Sequence, residues 1–138
     1  MASAPIYVGT IKNGAVQIVN ADGTTLKTLY TAGSSGSTIN SIMVTSTDTS
    51  NRDIQLFLYD GSTSYLLGTY QILANSGNTN AIVTVDLLKN TQNLAAAFDA
   101  LGNKTINLQA NYVLKVGLLT GSVTAAKALN FVCYAGDF

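Results

Sequence analysis

The chain contains no histidine and only one cysteine, Cys133, in 138 residues. Those two shortages remove the usual zinc ligand sets, any Ser-His triad and any disulfide within the chain. Glutamate and tryptophan are absent too, and proline occurs once, at Pro5. Charged residues make up 10% of the sequence, against about 25% in an average soluble domain. Seven basic and seven acidic side chains cancel to a net charge of +0. Such a surface exerts no long-range pull on nucleic acid or on an anionic membrane, so neither is expected as a partner. No stretch approaches the roughly 18 uninterrupted apolar residues of a membrane span. The opening M-A-S-A-P-I-Y lacks the basic flank and apolar run of a secretory signal, which points to synthesis in the cytosol.

What is present is apolar. Hydrophobic residues are 47% of the chain, and a domain of this size buries about two-thirds of its unfolded surface. Excess apolar surface with little charge to keep copies apart predicts extensive contact with other subunits.

Between the apolar stretches stand Asn, Thr, Ser and Gly, the punctuation of an all-β chain. The clearest passage is residues 54–72, I-Q-L-F-L-Y-D-G-S-T-S-Y-L-L-G-T-Y-Q-I. Ile54, Leu56 and Leu58 alternate with Gln55, Phe57 and Tyr59, Asp60-Gly61 supplies a tight reversal, and a second strand returns. Further strands are expected at 6–11, closed by a turn at Asn13-Gly14, and at 15–19 and 25–30, flanking a second hairpin turn at Asp22-Gly23. Others are expected at 39–46, 81–87, 105–108, 112–119 and 128–134. Strands arriving about every 8 to 12 residues describe an antiparallel β-sandwich or jelly roll. One short helix is expected near residues 93–101, where Leu94, Phe98 and Leu101 recur at helical spacing and Gly102 follows. The glycine-serine stretch T-A-G-S-S-G-S-T reads as a joint. It divides the chain into residues 1–32, an N-terminal arm or small β-hairpin extension, and residues 33–138, the sandwich body.

The chemistry is sparse. Gly33 to Gly36 lacks the lysine, hydroxyl and following helix of a phosphate loop. All seven acids are aspartates, and Asp22, Asp48, Asp53 and Asp60 sit where a turn would use them for its own backbone amides. Asp86 reads as a solvent-facing strand residue. Two of these carboxylates would suffice for a glycosidase, but nothing in their spacing selects a pair. Cys133, in an apolar strand, reads as a buried structural thiol. Neither D-G turn has the oxygen ligands of a calcium loop. No catalytic residue, metal or cofactor is therefore expected, and the chain reads as a non-enzyme. Tyr30, Tyr59, Tyr65, Tyr70, Tyr112 and Tyr134 leave a sugar-stacking platform open beside the ordinary use of tyrosine in sheets and interfaces.

The runs L-Y-T-A-G-S-S-G-S-T-I-N-S-I-M-V-T-S-T-D (residues 29–48), I-Q-L-F-L-Y-D-G-S-T-S-Y-L-L-G-T-Y-Q-I, A-N-Y-V-L-K-V (110–116) and the closing C-Y-A-G-D-F resemble small virion structural proteins of tailed bacteriophages. The resemblance spans residues 28–138, and its motifs are fold punctuation, not active-site residues. It implies a capsid decoration or cement protein that binds across shell subunits, or else a tail, neck or fibre component. A carbohydrate-binding module is the reading outside that group. The resemblance further implies a homo-oligomer, with a trimer favoured, that binds the major capsid protein or other virion subunits. Residues 2–11 would act as an extended arm gripping a neighbour, with Pro5, Ile6, Tyr7 and Val8 as its contact residues.

Overall fold

The computed structural model describes residues 9–89, 95–98 and 101–138. In chain order the strands are β1 (Thr10–Val19), β2 (Lys27–Thr31), β3 (Ser37–Ser46), β4 (Arg52–Tyr59), β5 (Ser64–Ile72), β6 (Val85–Asp86), β7 (Ala97–Phe98), β8 (Lys104–Leu108), β9 (Val113–Leu118) and β10 (Ala128–Asp137). They form two antiparallel sheets packed face to face, an all-β sandwich. One sheet runs β1-β10-β3-β8-β7, with β6 also paired to β3, and the other runs β2-β9-β4-β5.

Period-two alternation decides which side chains go inside. Along β10, Leu129, Phe131, Cys133 and Ala135 are buried while Asn130, Val132 and Tyr134 face out. Along β3, Ile42 and Val44 point inward to meet them. The opposite sheet contributes Ile54, Leu56, Tyr70, Ile72, Leu114 and Val116. Removing each large aliphatic or aromatic side chain from water contributes about 1.5–3 kcal/mol, so this layer is the main source of stability. The β4–β5 hairpin forms where the sequence puts it, with Ile54 opposite Tyr70 and Tyr59 opposite Ser64. Gly61 takes a positive φ of 104° in its turn.

The N-terminal third differs from expectation. β1 runs unbroken through Asn13-Gly14, each residue from Thr10 to Val19 aligned with one of β10. Gly14 is there for closeness: a Cβ on it would lie 2.3 Å from the Leu29 carbonyl oxygen and 2.6 Å from the Cys133 sulfur. The Asp22-Gly23 reversal does not make a hairpin either. After a short 3-10 turn, Asn20–Asp22, the chain crosses to the opposite sheet, where β2 pairs with β9. Residues 10–32 thus give one strand to each sheet and bury Ile18, Leu29 and Tyr30 in the common core.

The helix expected near 93–101 is not what forms at Ala97–Phe98, which pair as a strand with Thr105 and Lys104. Leu94 and residues 99–100 lie outside the described residues. The pattern of Leu94, Phe98 and Leu101 fits a helix, but the open edge of β8 supplies hydrogen-bond partners that propensity does not count. Residues 81–87 likewise keep only Val85–Asp86 as strand. β9 and β10, adjacent in sequence, lie in different sheets.

Candidate functional site

Two polar clusters tie the sheets together at opposite ends of β3. At the far end, Asp48 is fully buried in the β3–β4 connection. Its carboxylate accepts from Arg52 Nε (2.7 Å), from the Thr124 amide (3.0 Å) and hydroxyl (2.7 Å), and from the Ser50 amide (3.0 Å). Arg52 Nη2 also donates to Thr124 Oγ1 at 3.1 Å. Burial alone pushes this carboxyl up, but the Arg52 guanidinium and the Thr124 hydrogen bonds outweigh it and hold the group well below the usual carboxylate range. The ion pair therefore joins β4 of one sheet to the connections that enter and leave the other.

At the near end, Asp137 of β10 accepts from the Ser37 and Tyr30 hydroxyls, each at 2.5 Å. Those bonds lower its carboxyl, while burial and the neighbouring carboxylate push the Tyr30 hydroxyl up to about 12. Here the T-A-G-S-S-G stretch finds its use. A Cβ on Gly33 would sit 2.9 Å from the Asp137 carboxyl, and Gly36 turns the chain at a φ of 89°. The amides a phosphate would need are taken, Gly33 N by Ser37 Oγ and Gly36 N by Gly33 O.

Three further acids, Asp22, Asp60 and Asp86, are also committed to structure. Asp22 accepts from the Val19 amide and pairs with Lys27 at 3.1 Å. Asp60 accepts from the Ser62 and Thr63 amides and the Tyr65 hydroxyl, and the first two bring its carboxyl down to about 2. Asp86, half-buried, accepts from the Leu88 amide. Asp53 is not in a turn but on β4, exposed. No group of three or more potential metal ligands occurs among the described residues. No helix among them is long and apolar enough to cross a membrane.

The six tyrosines do not make one platform. Tyr30 and Tyr70 are in the core at 6% and 7% exposure, and Tyr134 lies on the outer face of the other sheet. Tyr59 and Tyr65 alone share the β4–β5 turn, with Lys115 Nζ 3.9 Å above the Tyr59 ring. A cavity of ≈ 460 Å³ beside β8 is lined by Asn40, Leu88, Lys89, Gly102, Asn103, Lys104 and Thr105.

The outer faces are the more unusual surface. On β1, β10 and β3 the outward residues Asn13, Ala15, Gln17, Asn130, Val132, Tyr134, Ser41, Met43 and Thr45 include no charge. On the opposite sheet Gln55, Phe57, Tyr59, Val113, Leu66 and Leu119 share the face with one lysine, Lys115, and one aspartate, Asp53. Pro5, Ile6, Tyr7 and Val8 lie outside the described residues. They lead directly into Gly9, whose amide donates to the Asp137 carbonyl at 2.9 Å. The sequence does not announce the uncharged faces until the pairing register shows which residues share them.

No protein-family model matches the chain, and no curated protein does. Among solved structures it is similar to a chain in the acidic stable capsid structure of Helicobacter pylori bacteriophage KHP30, at 11% identity and a TM-score of 0.47, over 96% of this chain and 97% of that one. It is also similar to a chain in the cyanophage Pam1 capsid asymmetric unit, at 13% identity and a TM-score of 0.44, over 98% and 91%. At these scores neither likeness carries weight for function.

Proposed function

We propose that the protein is a structural component of a bacteriophage virion, most specifically a capsid decoration or cement protein that stabilises the shell by binding across its subunits. The observation that carries this reading is the pair of nearly uncharged outer faces. A solitary protein keeps such surfaces wet with charge, whereas a subunit covers them. The strand order supports it: β1-β10-β3-β8 facing β2-β9-β4-β5, with strands β1 to β4 alternating between sheets, favours a jelly roll, an architecture used by capsid and lectin domains. The sequence resemblance to small virion proteins points the same way.

The mechanism is mass action. A module that binds only the assembled shell stabilises it, and many weakly held copies add up. No catalytic step is assigned, and Asp22, Asp48, Asp60, Asp86 and Asp137 already serve the fold. The partners are other virion subunits, the major capsid protein first among them, and further copies of this chain. The resemblance implies a trimer. Residues 2–11, with Pro5, Ile6, Tyr7 and Val8, act in this reading as an arm on a neighbour. The alternatives are a tail, neck or fibre position, or a sugar-binding module, for which Tyr59 and Tyr65 at the β4–β5 turn, with Tyr112 near Tyr65, are the grouped aromatic feature. Quantitative mass spectrometry of purified particles tests the proposal. A fixed copy number per particle, with shells lacking the protein breaking at lower temperature, is expected; absence from particles together with glycan affinity would move the assignment to the sugar-binding module.

A further inference from the structure

The strands that end the two sheets are not finished alike. β2 is short, carries Lys27 and has a register shift between Thr28 and Tyr30. β5 is irregular next to Leu67, whose carbonyl accepts from the Ala95 amide at 2.9 Å. β7 is two residues long. Shortness, charge, bulges and covering segments each discourage an edge from pairing with another chain. Over Thr10–Val16, β1 has none of them except one lysine, Lys12. It runs ten residues in unbroken register with β10.

Which of its polar groups are open follows from two hydrogen bonds. Lys27 Nζ takes the Gln17 carbonyl at 2.6 Å, and Asp22 takes the Val19 amide at 2.8 Å. Groups that point away from β10 alternate along an antiparallel strand, so Ile11, Asn13 and Ala15 share the phase of Gln17 and Val19. Ala128, opposite Val19, agrees: its amide and carbonyl both go to Thr47 on the β3 side. The molecule thus caps the far end of its own edge and leaves Ile11 to Ala15 uncovered, with Ile11 86% exposed. Among the described residues no strand pairs with this edge.

We propose that this open length binds β1 of a second copy, antiparallel, across a two-fold axis at Asn13. The segment is its own complement. Ile11 pairs with Ala15 of the second copy, Asn13 with Asn13 and Ala15 with Ile11, so that every open amide and carbonyl of the three residues finds a partner. Lys12 falls opposite Gly14, which keeps the two ammonium groups from direct opposition. The assembly is therefore even-numbered, unlike the trimer that resemblance implies, and this does not depend on the virion reading.

Sedimentation equilibrium of the full chain, with two variants, tests the pairing. Asn13→Cys places two thiols at a hydrogen-bonded antiparallel pair, about 5.5 Å apart at Cα, within disulfide reach. It is expected to cross-link into dimers under oxidised glutathione while Gln71→Cys, on the exposed face of β5, does not. Ala15→Pro deletes an amide that points away from β10, which an edge strand tolerates; it is expected to keep the wild-type circular dichroism spectrum and a cooperative thermal transition and lose the dimer. A wild-type monomer or trimer, cross-linking of Asn13→Cys no faster than of Gln71→Cys, or a folded Ala15→Pro that still dimerises would each overturn the proposal.

Discussion

Asp48 carries more of the fold than any other polar residue. It is sealed from solvent, yet it binds a guanidinium from β4, and a hydroxyl and two amides from the β3–β4 and β9–β10 connections. Removing one member of a buried ion pair leaves the other desolvated and unpaired, at a cost of about 3–5 kcal/mol. Asp48→Ala is therefore expected to lower the unfolding free energy by that amount in urea titration. A loss below about 1 kcal/mol, the scale of an exposed pair, would show that Arg52 finds water instead. Gly14 makes the converse point. No positive φ requires it, and only the approach of Leu29 and Cys133 from above explains a glycine in mid-strand.

The best-defined local element is the β4–β5 hairpin, whose turn is organised by Asp60 accepting from two amides and one tyrosine hydroxyl. Asp60→Ala is expected to speed hydrogen exchange at Ser62 and Thr63 and leave the amides of Ile54 and Ile72 protected, since the strands are held by their own ladder and by the core. Uniform loss of protection would contradict that separation. This hairpin was legible from residues 54–72 because alternation and turn chemistry agree within one short stretch. The β1 and β2 region was not, because two equally good local signals, Asn13-Gly14 and Asp22-Gly23, were overridden from a distance. β10 holds β1 straight through the first, and β9 captures the strand after the second. Asp137 and the T-A-G-S-S-G loop belong to one cluster, but about a hundred residues separate Asp137 from Ser37. No local pattern carries that information.

For the molecule as a whole, the clusters at the two ends of β3, together with the β4–β5 turn, set a pH window. Asp48, Asp60 and Asp137 are all lowered from the ordinary 3.8. A depressed carboxyl contributes stability that is complete above its unfolded value and is lost as pH falls through the folded one. Tyr30 works in the opposite sense. Its hydroxyl is raised from 10.0 to about 12, so its contribution is complete below the lower value and lost as pH climbs through the higher. The denaturation midpoint is expected to hold level between about pH 5 and 8 and to fall on both sides, with Tyr30→Phe reducing the alkaline limb, which the raised Cys133 thiol shares, and also weakening the acid limb through the lost bond to Asp137. A midpoint unchanged between pH 2 and pH 7 would count against the carboxylate clusters. Cys133 offers a means of watching such changes without altering the chain. Fully buried between β1 and β3, with a thiol that burial has raised, it reacts only in molecules whose layers have parted. The rate at which an added disulfide reagent consumes it then counts openings, and the same number taken on assembled and dispersed protein tells how firmly neighbours hold each copy shut.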